Sequence, residues 1–340
     1  MPADALAVSM GDPAGIGPEI VVKAWRQREA GRPVFFAIGD PLVYERAFAR
    51  LGARATIAPI GDPSQAAGVF ADSLPVLPIP VAVEESPGAP HPANAAAIIA
   101  SIERAVVLCL SGACAGMVTC PISKAGLYEA GFDHPGHTEF IASLTEHAPQ
   151  TEPRGPVMML AGPSLRVALA SVHLPLKQAI SRLSADSIMR VAEIVSAALR
   201  RDFGIARPRI ALAGLNPHAG EGGALGREEI EIINPAAAAL RARGIDVTDA
   251  QPPDTLFHEE ARRGYDAVIA MYHDQGLIPL KTLHFWDGVN VTLGLPIVRT
   301  SPDHGVAFDI AGAGRARPES LIAALAMGRD IARRRALVPA

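Results

Sequence analysis

The sequence predicts an α/β fold with a largely parallel core sheet, and three observations support this prediction. Short apolar runs of strand length alternate with longer segments of helical periodicity along the whole chain, a pattern typical of parallel sheets covered by helices. The chain has 340 residues, enough for one large or two medium domains with cores of their own. No internal repeat or low-complexity linker divides it. We therefore expect one unit over residues 1–340, made of two interleaved α/β lobes with a cleft between them, whose boundaries the composition does not mark.

The first half of the chain begins with a predicted strand at Leu6–Ser9, and a helix at Pro18–Glu29 follows it. The next predicted elements are a strand at Val34–Ile38, a helix from Pro41, a long helix at Ala93–Leu110, a strand at Gly116–Cys120 and a helix at Thr138–His147 that His137 or Thr138 would cap. Gly61–Pro92 is rich in proline and small residues, so we expect irregular chain on the surface there.

The second half begins with two predicted strands, Val157–Leu160 and Arg166–Ala170, which we expect to pair. An amphipathic helix at Ser184–Arg201 follows, with Ser184 as its cap. The remaining predicted elements are a strand at Arg209–Gly214, a helix at Arg227–Arg243, strands at Ala267–Tyr272 and Val289–Leu293, and a closing helix at Pro318–Arg335.

The composition excludes several classes of function. Apolar residues make up 49% of the chain and charged residues 19%, which is typical of a soluble globular protein. The net charge is −4 without a cluster of lysine or arginine, so neither nucleic acid nor a membrane surface is an expected partner. The longest apolar run, Ala95–Leu110, is interrupted by charges, and we expect it not to span a membrane. Cys109, Cys114 and Cys120 form no CxxC pair, and with no signal peptide recognisable we expect a cytoplasmic protein.

A glycine- and proline-rich turn, GDPAGIGPE at Gly11–Glu19, directly follows the first strand. It leads into a helix N-terminus, where exposed N–H groups favour anions. A plain strand–helix turn explains the same residues equally well. No GxGxxG register occurs in the chain, so a Rossmann site is not indicated.

A second segment, GHTE at Gly136–Glu139, would place His137 and Thr138 at the start of a helix. An imidazole and a hydroxyl beside free backbone N–H groups suit a phosphate. The alternative for Thr138 is an ordinary N-cap.

Three histidines occupy equivalent places in the predicted sheet. His173, His218 and His273 each lie just past the end of an apolar strand, where open α/β sheets form their ligand sites. Neutral imidazoles suit Zn²⁺, Co²⁺ or similar ions, and three protein ligands leave positions open for substrate. A single histidine of this kind is more often structural, and the spacing alone does not distinguish the two possibilities.

A fourth segment supplies positive charge near the C-terminus. Lys281 and Arg299 flank Asn290, and the TSPDHG turn at Thr300–Gly305 follows. An arginine binds phosphate through two hydrogen bonds, although surface cations with solvated heads would give the same pattern.

Ten segments together indicate a family. They occur in the order GDPAGIGPE, PISK at Pro121–Lys124, GHTEF, HLPL, GLNPHAGEGG, GREE at Gly226–Glu229, DTLF at Asp254–Phe257, MYHDQG, GVNVTLGLP and RTSPDHG. The chain closely resembles the 4-hydroxythreonine-4-phosphate dehydrogenase family of pyridoxal phosphate biosynthesis, from about Ala7 to the C-terminus. NPHAGEGG and MYHDQG are its most specific motifs.

The resemblance implies a two-lobed α/β fold similar to isocitrate and isopropylmalate dehydrogenases, without a conventional Rossmann domain. It also implies a homodimer with the active site at the subunit interface. One divalent ion per site (Zn, Co or Mg) would be held by His173, His218 and His273, shared between subunits. The implied substrate contacts are His137, Thr138, Lys281, Asn290 and Arg299.

The implied reaction is an NAD- or NADP-linked oxidation of 4-phosphooxy-L-threonine at C3. Decarboxylation then gives 3-amino-2-oxopropyl phosphate and CO₂, and a metal ion would stabilise the negative charge that develops on oxygen. Asp274 and Asp254 are candidates for the general base, or else they orient a ligand histidine. Gly220, Gly222 and Gly223 would let a cofactor pyrophosphate approach the backbone, although a simple loop is the alternative.

Three positions depart from the family pattern. Cys120 stands where the family often has glycine, Ser123 replaces asparagine or histidine, and Val306 replaces threonine. Two rival functions stay open. The first is a related dehydrogenase of 4-phospho-D-threonate or 4-phospho-D-erythronate, and the second is a non-catalytic metal- or ligand-binding protein.

Overall fold

The computed structural model of the protein describes residues 4–29, 31–54, 56–129, 131–134 and 136–337. Its strands are β1 Leu6–Ser9, β2 Phe35–Gly39, β3 Ile57–Pro59, β4 Leu74–Pro78, β5 Gly116–Thr119, β6 Val157–Gly162, β7 Leu165–Leu169, β8 Arg209–Ala213, β9 Asp246–Gln251, β10 Ala267–Ala270, β11 Val289–Leu293 and β12 Arg299–Pro302. Its helices are α1 Gly17–Arg26, α2 Pro41–Arg50, α3 Ala66–Val69, α4 Ala95–Leu110, α5 Lys124–Glu129, α6 His137–Leu144, α7 Leu176–Ser181, α8 Ala185–Arg201, α9 Asn234–Ala242, α10 Pro253–Leu256, α11 Glu259–Arg262, α12 His273–Leu283 and α13 Glu319–Leu337.

The chain divides into two compact units. Unit 1 consists of the described residues up to Pro149 together with Leu295–Leu337, and unit 2 consists of Gln150–Gly294. Unit 1 is therefore discontinuous, and unit 2 is inserted into it. The cleft between two lobes stays a prediction.

Unit 1 contains a parallel sheet in the order β3-β4-β2-β1-β5-β12. Helix α4 packs against β1, β2 and β5, while α13 packs against β5 and β12. The central strands β1, β2 and β5 are buried at every position, as expected where helices cover a parallel sheet.

Unit 2 contains strands in the order β11-β6-β7-β10-β8-β9. Strand β6 runs antiparallel to both β11 and β7, whereas β7, β10, β8 and β9 pair in parallel. The predicted pairing of the two strands near residues 157 and 170 is thus confirmed. Neither unit has the 3-2-1-4-5-6 strand order of a dinucleotide-binding Rossmann sheet, and the prediction of an α/β fold without that arrangement is confirmed.

The local chemistry of α8 agrees with its predicted cap. Ser184 Oγ accepts a hydrogen bond from Ser187 N at 3.2 Å, and Ser187 Oγ accepts one from Ser184 N. This reciprocal pair satisfies two N–H groups that the first turn of a helix leaves unbonded. The predicted start of this helix is confirmed.

The expectation of irregular surface chain over Gly61–Pro92 is wrong in part. This stretch contains α3 and β4, and Leu74 and Val76 of β4 are fully buried. Val76 pairs with Ala37 of β2 in a parallel register. The prolines at both ends of β4 resemble turn residues in the sequence and conceal the strand.

Three further elements, β9, α12 and β12, were not predicted from the sequence. Strand β9 has a polar sequence without an apolar run, and this is tolerated because the strand pairs with β8 alone and lies at an edge of the sheet. Helix α12 has Gly276 and Pro279 in its interior, which are poor helix formers. A Cβ at Gly276 would lie 2.7 Å from a methyl carbon of Leu169, so the glycine permits close packing of α12 on β7. The expected turn at Thr300–Gly305 begins inside β12.

The stretch Pro92–Leu110 is long and apolar enough, by length and composition, to cross a membrane, with a mean hydropathy of 1.7. The sequence analysis expected no span because charges interrupt Ala95–Leu110, whereas the stretch found here also includes the turn from Pro92 that precedes α4. Half of the stretch is buried inside the protein, where Ile98, Ile102 and Val106 join the apolar core of unit 1. The buried face is that of an ordinary core helix.

Candidate active site

The three histidines of unit 2 follow neighbouring strands. His173 comes shortly after β7, His218 after β8, and His273 is the first residue of α12 after β10. Because β7, β10 and β8 are adjacent and parallel, their carboxyl ends lie at one edge of the sheet. The predicted position of all three histidines beyond strand ends is confirmed.

Two of these histidines lie side by side. The ring centroids of His173 and His273 are 5.5 Å apart, with the ring planes tilted by 43°. Both rings line a cavity of about 250 Å³, together with Leu174, Leu176, Tyr272 and Asp274. A small ligand therefore has access to two imidazoles at this edge of unit 2.

Asp274 fixes the orientation of one of the two rings. Its Oδ1 lies 2.7 Å from His273 Nδ1, while the aspartate itself is exposed. An ionised carboxylate only accepts hydrogen bonds, so His273 Nδ1 is the donor in this pair and Nε2 is the ring nitrogen that does not bond to Asp274. A carboxylate on the far nitrogen is the usual support of a metal-binding histidine.

His218 lies in a loop with an unusual backbone. Every residue from His218 to Gly223 has a positive φ, with values from 41° to 98°. His218, Ala219 and Glu221 are not glycine, and the left-handed conformation costs about 1–2 kcal/mol for each such residue. Strain of this size persists where the surrounding structure enforces it, and it often accompanies function.

A buried network holds the base of this loop. The Glu229 carboxylate is 2% exposed and accepts hydrogen bonds from Leu215 N at 2.8 Å and Asn216 N at 2.7 Å. Asn216 Nδ2 also donates to Glu229 at 2.9 Å and to Glu228 at 2.6 Å. The GREE motif therefore fixes the conformation of the NPHAGEGG motif.

The three glycines predicted to face a cofactor differ in their surroundings. A Cβ at Gly220 would lie 2.6 Å from Glu229 Oε2, and one at Gly223 would lie 3.3 Å from Ile230. At Gly222 a Cβ would meet nothing within 4 Å among the described residues. Packing of the loop thus explains Gly220, whereas Gly222 has open space in front of it.

The described residues of one chain contain no group of three or more histidine, cysteine, aspartate or glutamate side chains that could hold a metal ion. The structure brings His173 and His273 together but does not add His218 to them. As ligands, all three stay a prediction, and one chain alone presents an incomplete set.

Unit 1 contains a different group of site residues, centred on Arg299. Its side chain is 3% exposed, and Nη2 donates to Thr119 Oγ1 at 2.7 Å. Burial lowers the pKa of Arg299 to about 10, and the Glu139 carboxylate opposes this shift. The guanidinium nevertheless stays charged at neutral pH, so unit 1 has a fixed buried cation at the start of β12.

His137 lies close to that cation as the first residue of α6. Burial lowers its pKa well below the usual value, and the positive charges of Arg299 and Lys124 lower it further. His137 Nε2 is buried and has no hydrogen-bond partner among the described residues. We call Lys124, His137 and Arg299 the His137 cluster. It presents two cations and a neutral imidazole, which suits an anionic ligand.

Lys124 was not among the predicted site residues, although the PISK motif contains it. A Cβ at Gly136 would lie 3.3 Å from Lys124 Cε and 3.5 Å from both Lys124 Nζ and Glu139 Oε2. Glycine before α6 therefore leaves room for the lysine side chain. The sequence does not indicate this proximity, because the PISK and GHTE segments come together only in the folded protein.

The expected cap of α6 is wrong. Gly136 is the N-cap residue and makes no side-chain cap hydrogen bond, so neither His137 nor Thr138 caps the helix. Both are inside its first turn, where backbone N–H groups have no intrahelical partner. This arrangement leaves the two side chains available to a ligand, as the phosphate hypothesis requires.

The other predicted substrate residues lie in unit 2. Lys281 is half-buried on α12, with Nζ 5.8 Å from the centre of the Phe285 ring. Asn290 is in β11, and its Oδ1 is buried without a hydrogen-bond partner among the described residues. Asp254, the second candidate base, is exposed in the first turn of α10.

The glycine-rich turn after β1 is built around Asp12. Asp12 Oδ1 accepts a hydrogen bond from Ala14 N at 3.0 Å, and burial raises the pKa of this carboxyl to about 6. All three departures from the family pattern contact the turn. Cys120 lies against Gly11, Val306 O accepts from Ile16 N at 3.0 Å, and the Ser123 backbone hydrogen-bonds to the Asp12 carboxylate.

Sequence comparison places the chain among proteins of one name. Residues 30–328 match the family described as pyridoxal phosphate biosynthetic protein PdxA. A 4-hydroxythreonine-4-phosphate dehydrogenase of Maricaulis maris is 58% identical over 335 residues, covering 97% of this chain and 98% of that protein. The enzyme of the same name from Caulobacter vibrioides is 56% identical over 330 residues, with the same coverage.

Comparison with solved structures agrees with the sequence comparison. The crystal structure of 4-hydroxythreonine-4-phosphate dehydrogenase from Klebsiella pneumoniae is 41% identical, with a TM-score of 0.85, and the match covers 97% of this chain and 98% of that one. The fold that the sequence resemblance implies is thereby confirmed. On its sequence and its fold, the chain belongs to the PdxA family of pyridoxal phosphate biosynthetic proteins.

Proposed function

We propose that this chain oxidises 4-phosphooxy-L-threonine at C3 with NAD or NADP and releases CO₂ to form 3-amino-2-oxopropyl phosphate. The observation that carries the proposal is 56–58% identity, over almost the full length of both chains, to two enzymes named for this substrate. The protein would thus be a cytoplasmic oxidoreductase of pyridoxine biosynthesis.

The His137 cluster supports binding of a phosphorylated substrate. Phosphate needs fixed positive charge and hydrogen-bond donors in a site with little water. Arg299 and Lys124 supply the charge, and α6 supplies N–H groups beside His137 and Thr138. Because the low pKa keeps His137 neutral, its ring donates one hydrogen bond without adding a charge. Lys281 and Asn290 of unit 2 stay predicted substrate contacts.

The donor set of unit 2 fits a divalent metal ion. His173 and His273 lie together, and Asp274 directs His273 Nε2 away from its own carboxylate. Imidazole ligands favour zinc or cobalt over magnesium. When bound, such an ion would act as a Lewis acid on the substrate oxygen. Asp274 is then a positioning residue, and an exposed Asp254 stays a candidate base.

A homodimer would complete the ligand set. We propose that His218 of a second copy joins His173 and His273, because one chain does not gather all three. Several large apolar side chains of unit 2, including Leu176, Ile278 and Phe285, are exposed, and such side chains are typical of an interface core. Sedimentation should give twice the mass of the chain, and a stable monomer with full metal content would contradict this assembly.

The cofactor would approach the loop at Gly222, where the backbone has open space. Gly222→Ala should raise KM for NAD or NADP several-fold, since a new methyl group would block a pyrophosphate there. Gly244→Ala is a matched control, because Gly244 also has a positive φ with nothing within 4 Å. Equal KM values in the two variants would exclude this loop as the cofactor site.

Steady-state kinetics test the substrate directly. Metal-loaded enzyme should produce NADH or NADPH from 4-phosphooxy-L-threonine with a higher kcat/KM than from 4-phospho-D-threonate or 4-phospho-D-erythronate. A preference for either sugar acid would replace the proposed substrate by that rival. Absence of turnover with all three would favour a non-catalytic binding protein. Activity that survives chelation unchanged would exclude the metal role.

A further inference from the structure

Two cysteines of unit 1 meet at the turn between α4 and β5. Cys109 is in the last turn of α4, and Cys114 lies just before β5. The chain reverses at Gly112, whose φ is +72°, and Ala113 N and Cys114 N both donate to Leu108 O, at 2.9 and 3.3 Å. This turn places the two sulfur atoms 3.4 Å apart, although the sequence contains no CxxC motif.

The two thiols interact but differ in accessibility. Cys109 is half-buried, whereas Cys114 is buried. A hydrogen bond from Cys109 lowers the pKa of the Cys114 thiol, and the same bond raises that of Cys109. A disulfide requires a sulfur–sulfur distance of about 2 Å, so the atoms must approach by little more than an ångström. Rotation of the partly accessible Cys109 side chain provides such a movement.

We propose that Cys109 and Cys114 form a reversible disulfide when the protein meets an oxidised low-molecular-weight disulfide such as oxidised glutathione. The more accessible Cys109 passes its thiol proton along the hydrogen bond to the Cys114 sulfur and attacks one glutathione sulfur. The glutathione S–S bond breaks, and one glutathione leaves. Cys114 sulfur then attacks Cys109 sulfur and releases the second glutathione thiol. Two protein thiols are oxidised, one glutathione disulfide is reduced, and the two thiol protons end on the two glutathione molecules.

Cys120 provides a matched control within the same protein. It is fully buried against the turn after β1, and burial raises its pKa to about 12. Unlike the half-buried Cys109, it has no exposed surface at which a dissolved disulfide could be attacked, and it lacks a hydrogen-bonded cysteine partner such as Cys114 among the described residues.

The experiment incubates the folded protein with oxidised glutathione and then unfolds it in N-ethylmaleimide, which blocks all remaining thiols. Reduction and iodoacetamide then label only those cysteines that were in disulfides. Trypsin releases residues 105–124, which contain all three cysteines, and fragmentation locates each label.

We expect iodoacetamide on Cys109 and Cys114 and N-ethylmaleimide on Cys120, with the same pair labelled in Cys120→Ser. In Cys109→Ser, Cys114 should keep N-ethylmaleimide. The proposal is wrong if both cysteines of the pair keep N-ethylmaleimide, if Cys109 stops at the mixed disulfide with glutathione, or if Cys120 enters a disulfide.

Discussion

The His137 cluster of unit 1 and the histidine set of unit 2 (His173, His218 and His273) differ in how complete they are within one chain. In unit 1, burial lowers the pKa of His137, and the positive charges of Arg299 and Lys124 lower it further. In unit 2, two imidazoles are adjacent, but the described residues hold no full set of metal ligands.

We infer that the fold prepares the two proposed ligand sites in different ways. Arg299 of unit 1 is fixed by burial, whereas Lys124 is exposed beside the start of α6. We propose that these groups of a single chain suffice to bind an anion. The third proposed ligand, His218, is carried by a strained loop whose base is anchored through Glu229. A loop held so firmly, yet away from the other two ligands, is expected to present His218 to something outside its own chain.

The largest effect should come from His218→Ala. Turnover should fall on the order of 100-fold or more, because removal of a group that stabilises developing charge has effects of this size. Metal content should fall with it, while circular dichroism should match the parent protein. The control is Glu221→Gly, which relieves strain in the same loop without removing an imidazole and should keep both metal and turnover. Equal losses in both variants would mean that loop geometry, and not the imidazole, matters.

A smaller effect should follow Arg299→Met in unit 1. Loss of hydrogen bonds to a charged group should raise KM for the phosphorylated substrate about 10- to 100-fold, while metal content stays unchanged. Arg317→Met removes the same charge from an exposed pair with Glu319 and should leave KM as it was. If Arg299→Met instead lost the metal, the two sites would not be separable as proposed.

The smallest effect concerns the pH dependence of stability. His137 has a lowered pKa when folded, so below its unfolded value of about 6.5 the unfolded chain binds a proton that the folded chain does not. The free energy of unfolding should therefore fall with decreasing pH, by up to about 1.4 kcal/mol per pH unit from this group. His137→Asn should lack this contribution. Denaturant titrations between pH 7.5 and 5.5 measure the difference, and parallel curves for the two proteins would contradict a buried neutral His137.

The sequence predicts those parts of the fold that local chemistry determines. The cap at Ser184 and the buried strands β1, β5 and β11 follow from residue type and periodicity. Strand β4 and helix α12 do not, because tertiary packing overrides the turn and helix-breaking preferences of their prolines and of Gly276. In each of these two cases a neighbouring strand determines the conformation.

In the candidate site, too, some features are predictable from the sequence and others depend on the fold. The placement of histidines after strands is predictable, because the carboxyl ends of parallel strands share one edge. Lys124 beside Gly136 and Glu229 beneath the His218 loop are not predictable, because they depend on contacts between distant segments. Motifs mark both residues in the sequence, but only their surroundings show how they act on His137 and on the loop.

Subunit complementation tests the central proposal, that a second copy completes the metal site, most directly. Inactive His218→Ala and inactive His173→Ala proteins are unfolded together, refolded as a mixture and assayed with metal. If His218 of one copy serves His173 and His273 of another, half of the dimers are mixed and each has one intact site, so about a quarter of the parent activity should return. A mixture of His173→Ala and His273→Ala should stay inactive, since both ligands belong to the same copy. No recovery in any mixture would contradict the shared site.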